Sequence, residues 1–197
     1  MMRKADAADQ PLVAGILAQS FSDNLSVNYV TAGTDQQLRR SALMNYAVKV
    51  CSLFGEVLIS EDAHACALLL YPEQKKTTFL SLLLDLELVW NCTGISKALA
   101  VMKREKAIHS LQLSGHNAYL WFIGVNPLFQ HKGIGSRLLS EVIAYCEKQH
   151  RTVILETSTL KNIPWYKSFG FQTYATLDLG YKLFFLKKEF SATVSKF

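Results

Sequence analysis

Cysteine is sparse in this chain, and its spacing carries no chemistry. The four residues, Cys51, Cys66, Cys92 and Cys146, form no Cys-x-x-Cys pair, and no histidine stands at zinc-ligand spacing from any of them. A disulfide framework and a structural zinc site are therefore not expected, and the four read as buried thiols with no metal to bind. Long hydrophobic runs are missing too. The longest, Phe79 to Trp90, is too short to span a bilayer and contains Asp85 and Glu87. Met1-Met2-Arg3-Lys4 leads into polar residues, not the apolar core of a secretory signal. No Lys/Arg-rich run carries interleaved aromatics, so nucleic acid is not an expected partner. No repeat or low-complexity linker divides the chain. The expectation is one domain over residues 1–197, cytoplasmic, with no membrane partner.

What is present is a globular composition. Half of the 197 residues are apolar and the net charge is +5, enough for a full core and a bias toward anionic partners such as a polyphosphate.

The most informative stretch is Tyr119 to Gln149. Tyr119-Leu-Trp-Phe-Ile-Gly-Val125 is apolar, aromatic and β-branched, as a buried strand is, and Asn126-Pro127 stops it. From Ile134 onward, Leu138, Leu139, Val142, Ile143 and Cys146 fall on one helical stripe. Between them runs Gln130-His131-Lys132-Gly133-Ile134-Gly135-Ser136. A strand thus feeds a glycine-containing loop that opens a helix. The first N–H groups of a helix lack internal partners and carry partial positive charge, and glycine lets a ligand approach the backbone. Such a loop can seat a phosphate, or can simply need two glycines to turn. A P-loop is excluded because Lys132 precedes its glycine. A dinucleotide fingerprint is closer, with Glu156 near the end of the next strand as a ribose ligand, but Leu138 replaces its third glycine and Gly133 lies well beyond the end of the strand.

Elsewhere the pattern predicts a short strand at 3–5 and a helix started by Asp9 and Pro11. A polar, turn-rich loop over 22–34 and a second helix capped by Asp35 follow. Two strands over 57–71 come next. Residues 73–114 read as an insertion of two helices broken at Thr93-Gly94, either covering the sheet or shaping a binding face. Beyond the central helix come a strand at 152–156, a short helix at 162–168 with Pro164 in its first turn, and a hairpin around Asp178-Leu179-Gly180. Tyr29 and Tyr46 could line a pocket or simply pack. His109 and His116 could relay a proton or sit at the surface.

Gln130-x-x-Gly133-x-Gly135, after the strand end Gly124-Val125-Asn126-Pro127, resembles the acyl-CoA pyrophosphate motif of the GNAT N-acetyltransferase superfamily. Downstream, Leu155-Glu156-Thr157 and Asn162-Ile-Pro-Trp-Tyr166-Lys-Ser-Phe-Gly170-Phe171 resemble the family's Tyr-x-x-x-Gly-Phe segment. The resemblance is strong from about Leu120 onward and looks most like the branch of small-molecule and antibiotic N-acetyltransferases.

The resemblance implies an α/β fold with a mixed, mostly antiparallel central sheet of six to seven strands. Helices would cover both faces, and the sheet would splay between its fourth and fifth strands. It implies acetyl-CoA as acyl donor, no metal, and direct transfer in a ternary complex to a primary amine, most simply of a small molecule. It allows a homodimer. Cofactor contacts carry over to Ile123, Gly124, Val125, Gln130, His131, Lys132, Gly133, Ile134, Gly135, Ser136 and Asn162. Asn162 lies four residues before Tyr166, where many relatives place an Asn seven before. Tyr166 matches the family's general acid. Glu156, His116 or a water chain are the candidates for general base. Two alternatives stay open: an acyl-CoA-binding sensor without turnover, and an acetyltransferase acting on protein N-termini or lysines.

Overall fold

The computed structural model describes residues 1–93 and 95–190. Seven strands form one sheet: β1 (Met2–Lys4), β2 (Gly55–Ser60), β3 (Ala65–Leu70), β4 (Asn117–Val125), β5 (Thr152–Thr157), β6 (Gln172–Asp178) and β7 (Lys182–Lys188), in the order β1-β2-β3-β4-β5-β7-β6. Every neighbouring pair is antiparallel except β4 and β5. The helices are α1 (Gln10–Ser20), α2 (Leu25–Thr31), α3 (Gln36–Phe54), α4 (Phe79–Leu88), α5 (Ile95–His109), α6 (Ile134–Lys148) and α7 (Asn162–Ser168).

Strand alternation distributes the core to both faces. On β3, Cys66, Leu68 and Leu70 join Val13, Leu17, Met44, Ala47 and Phe54 of α1 and α3. Ala65, Ala67 and Leu69 point the other way, toward Leu138, Leu139 and Val142 of α6 and Tyr166 of α7. The four cysteines are buried and unpaired, as their spacing predicted.

Two local expectations change. The stretch 22–34 contains α2, whose Val27, Val30 and Thr31 are buried. The Asn24 side chain caps it by accepting the Val27 N–H at 3.0 Å, satisfying an orphan donor of the first turn. Asp35 does precede α3, but in a left-handed conformation and without a side-chain cap bond. The insertion has the predicted two helices, joined by a π-helical turn at Val89–Thr93. Gly94, the other half of the predicted break, lies outside the described residues.

Candidate active site

The site begins where β4 and β5 part. Their parallel pairing runs only from Asn117↔Thr152 to Tyr119↔Ile154. Beyond Tyr119, β4 has no partner on that side among the described residues. On its other side β4 carries a bulge: Leu68 pairs with Phe122 and Leu69 with Leu120, so Trp121 is the extra residue. The bulge resets the alternation. Before it, Ala118 and Leu120 face α6, whereas after it Ile123 and Val125 do, and Trp121 and Phe122 both face α1 and α3. Gly124 lies against α1, where a Cβ would stand 2.4 Å from Ser20 Oγ.

The first cavity, of about 590 Å³, follows the splayed end of β4 to the start of α6. Ile123, Gly124 and Val125 line it on one side, and Gln130, His131, Gly133, Ile134, Gly135, Ser136 and Asn162 on the other. Gly133 takes φ +76° at the N-cap of α6, a conformation that suits glycine. The first helical hydrogen bond of this turn runs from Arg137 N–H to Gly133 O at 3.0 Å, so among the described residues the N–H groups before it are free for an anion. The Gln130 side chain folds back and donates to Val125 O at 3.2 Å. Trp165 Nε1 donates to Ser136 Oγ at 3.0 Å and ties α7 to this turn. Shape, glycines and free donors all fit a pyrophosphate. Lys132 does not line the cavity; its ammonium sits 5.1 Å over the Phe129 ring. Ser20 to Asn24, Thr159 and Lys161 also line it, and no motif marked them.

The second cavity, of about 280 Å³, lies on the α1–α3 side of the sheet under α5. Phe21 and Asn24 line both cavities. Its walls are mostly apolar, with Val27, Leu43, Tyr46, Leu88, Ile108 and Trp121 among them. Tyr46 therefore reaches a cavity, whereas Tyr29 packs beneath the Arg104 guanidinium.

Glu156 is the central polar group of this second cavity. Gln112 Nε2 donates to its Oε1 at 2.7 Å, and the Tyr119 hydroxyl donates to its Oε2. Burial raises its pKa to about 7, opposed by those two hydrogen bonds. Gln112 in turn meets the ring of His109, 2.8 Å from Nδ1. Beside Glu156, Ser158 is 7% exposed, and its hydroxyl has no hydrogen-bond partner among the described residues. On α5, Arg104 is buried and bound to Glu105, Ser26 and Tyr181.

The two base candidates part company here. His116 is exposed, lines neither cavity and stands 3.8 Å from Glu73, so only Glu156 reaches the site. Tyr166 is 6% exposed and also lines neither cavity. Its ring packs 4.8 Å from that of Trp165, which does line the first. Burial pushes its phenol well above the ordinary value, so it stays protonated.

The Acetyltransferase (GNAT) family model matches residues 94–171, which carry β4, the glycine loop, α6, β5 and α7. An uncharacterized N-acetyltransferase of Schizosaccharomyces pombe is 25% identical over 180 residues, 86% of this chain and 73% of that protein. Among solved structures, a "histone acetyltransferase HPA2 and related acetyltransferase" from Corynebacterium glutamicum superposes with a TM-score of 0.73 at 17% identity, covering 98% of each chain. The C-terminal condensation domain of Ebony, in complex with β-alanyl-dopamine, gives 0.69 at 10% identity over 96% of this chain and 98% of that one. A GNAT family acetyltransferase of Brucella melitensis, in complex with acetyl-CoA, gives 0.53 at 15% identity over 98% and 88%. At these identities the solved structures speak for the fold. With the family match over residues 94–171 and the shared fold, the site resembles that of a GNAT N-acetyltransferase. The reaction of that family is acyl transfer.

Proposed function

We propose that the protein moves an acetyl group from acetyl-CoA to the primary amine of a small molecule with an apolar body, by direct transfer in a ternary complex. The observation that carries this reading is the meeting of two unlike cavities at Phe21 and Asn24. One has the free N–H groups and glycines an acyl-CoA pyrophosphate needs. The other is compact, apolar and ends on the Glu156 carboxylate, whose pKa burial raises.

In this reading Gly133 to Ser136 hold the pyrophosphate, and Ile123 to Val125 pair with the pantetheine arm through the backbone edge that β5 leaves free. An N–H of that edge polarises the thioester carbonyl. Glu156 takes a proton from the bound ammonium, and Ser158 accepts a hydrogen bond from the same nitrogen. The neutral amine attacks the carbonyl carbon and a C–N bond forms; the C–S bond breaks as the nitrogen gives its second proton to solvent, and the thiolate takes a proton from Tyr166, which regains one from solvent. The products are the N-acetyl amine and CoA.

A second reading is an acyl-CoA-binding module without turnover. It draws on one observation, the position of Tyr166 outside both cavities. Thiol release from acetyl-CoA, followed with panels of apolar small amines and of peptides, separates the readings. Release with small amines supports the proposal. Release with peptides alone moves the acceptor to protein. CoA binding without release in either panel supports the sensor, and absence of CoA binding overturns all three.

A further inference from the structure

The helical insertion is built with its more apolar side outward. On α4, Ser81 and Leu84 are buried, and Leu88 packs against the core. Phe79, Leu82, Leu83, Leu86 and Trp90, at the i, i+3, i+4, i+7 and i+11 positions, are all exposed, as is Leu80. Phe79 is 79% exposed and Trp90 78%. On α5, Leu99 and Met102 are exposed on the face that also carries Lys103 and Lys106. An apolar stripe of this extent marks an interaction surface.

Among the described residues, the charges around it that lack a side-chain partner are basic. Each carboxylate between residues 73 and 109 has a side-chain partner, although Asp85 and Glu87 are themselves exposed on α4. Glu73 meets Arg151 at 2.5 Å and Glu87 meets Lys49 at 3.1 Å. Asp85 accepts from the Tyr46 hydroxyl at 2.7 Å, and Glu105 is paired with Arg104. Lys76, Lys103 and Lys106 are exposed and have no carboxylate partner among the described residues, and Lys97 is exposed with its ammonium on the Ala32 carbonyl.

We infer that α4 and α5 dock this protein on the surface of an anionic lipid bilayer. Leu82, Leu83 and Leu86 would enter the boundary between headgroups and acyl chains, with Phe79 and Trp90 at its interface and the lysines on the headgroups. The attachment is peripheral: among the described residues no helix is long and apolar enough to cross a membrane. A second copy fits less well, because a twofold contact would bring the same unpaired lysines together. This departs from the expectation that no membrane takes part, and it stands independently of the proposed reaction. The inner sides of the same helices line the acceptor cavity through Leu88, Val101 and Ile108, so docking would bring that cavity close to the bilayer.

The test is co-sedimentation of the full chain with phosphatidylcholine vesicles and with vesicles containing phosphatidylserine, alongside its mass in solution by light scattering. Binding is expected with phosphatidylserine, weaker with phosphatidylcholine alone, and falling with salt. Lys76→Ala and Lys103→Ala should each lower the partition coefficient about fivefold. Leu83→Glu with Leu86→Glu should abolish binding while leaving thermal unfolding and CoA binding largely unchanged, since both residues lie on the exposed side of α4. Three results would overturn the inference: no binding to anionic vesicles, binding that the leucine pair does not affect, or a stable dimer in solution that the leucine pair dissociates.

Discussion

The Tyr119 hydroxyl donates to the Glu156 carboxylate, and Tyr119 is the last residue of β4 that pairs with β5. The bond therefore sits at the vertex of the splay, where the sheet opens toward the acceptor. It favours the ionised carboxylate, while burial favours the neutral one, and burial prevails to place the pKa at about 7. If Glu156 is the base, kcat/KM should rise with pH to a plateau, with an acid limb near 7 and a tenfold loss per pH unit below it. Tyr119→Phe removes a bond that lowers this pKa, so the limb should move to higher pH. Glu156→Gln should remove the limb and lower the plateau by about 10²–10⁴-fold. A profile that Glu156→Gln leaves in place would assign the base elsewhere.

The same carboxylate makes stability depend on pH. Its folded pKa of about 7 lies above the usual 4.5, so between those values the native state holds more of the proton than the unfolded state. The stabilisation from protonated Glu156 is full below 4.5 and is lost as pH rises through 7. Glu156→Gln has no such loss. The variant should gain on the wild type between pH 5 and pH 8, by at most about 3 kcal/mol, read from urea unfolding at both pH values. A gap that does not change with pH would mean that the carboxyl is not desolvated.

Much of this site was legible in the sequence because its signals are local. The apolar stretch ending in Asn126-Pro127, the two glycines and the stripe from Ile134 to Cys146 predict β4, the loop and α6 without long-range information. What escaped depends on partners distant in sequence. The bulge at Trp121 exists only relative to Leu68 and Leu69 of β3. Gln112 and Ser158 matter because folding brings them beside Glu156, and neither belongs to a motif. α2 escaped for another reason: seven residues are too few to display helical period, and its polar flank resembles a loop. In α4 the pattern correctly predicts a helix, but periodicity cannot say that the richer apolar side faces out.

The glycine loop predicts a contrast between neighbours. Gly133 holds φ +76°, so Gly133→Val places a β-branched residue in the left-handed region and displaces the N–H groups that face the cavity. CoA affinity, by titration calorimetry, should fall at least tenfold. Lys132→Ala alters an exposed ammonium that rests over Phe129 and does not itself line the cavity, and should cost less than threefold. A larger loss from Lys132→Ala would show that its side chain leaves Phe129 to bind the cofactor.

Tyr166→Phe separates enzyme from sensor. The hydroxyl has no hydrogen-bond partner among the described residues, and the ring packs with Trp165 and Phe171, so the variant should fold and bind CoA like the wild type. If Tyr166 protonates the thiolate, kcat should drop about 10²-fold or more, with little change in the KM for acetyl-CoA. Unchanged turnover would place the proton donor elsewhere, with a water in the cleft as the next candidate.

Ser158 gives a prediction in which function and stability move in opposite directions. A buried hydroxyl without a partner is a cost to the folded state, so Ser158→Ala should leave thermal stability unchanged or raise it. In the complex that hydroxyl would accept from the substrate nitrogen, and its loss would remove one hydrogen bond of about 0.5–1.5 kcal/mol. The KM for the amine should rise about three- to tenfold, while the KM for acetyl-CoA stays constant. A merely structural serine would show the reverse, with lower stability and an unchanged amine KM. Competitive inhibition by an N-acetyl product, measured on the same variant, checks the assignment without turnover. A product that lacks the ammonium should lose less affinity than the amine if Ser158 reads the charged nitrogen, and equal losses would place Ser158 against the body of the acceptor instead.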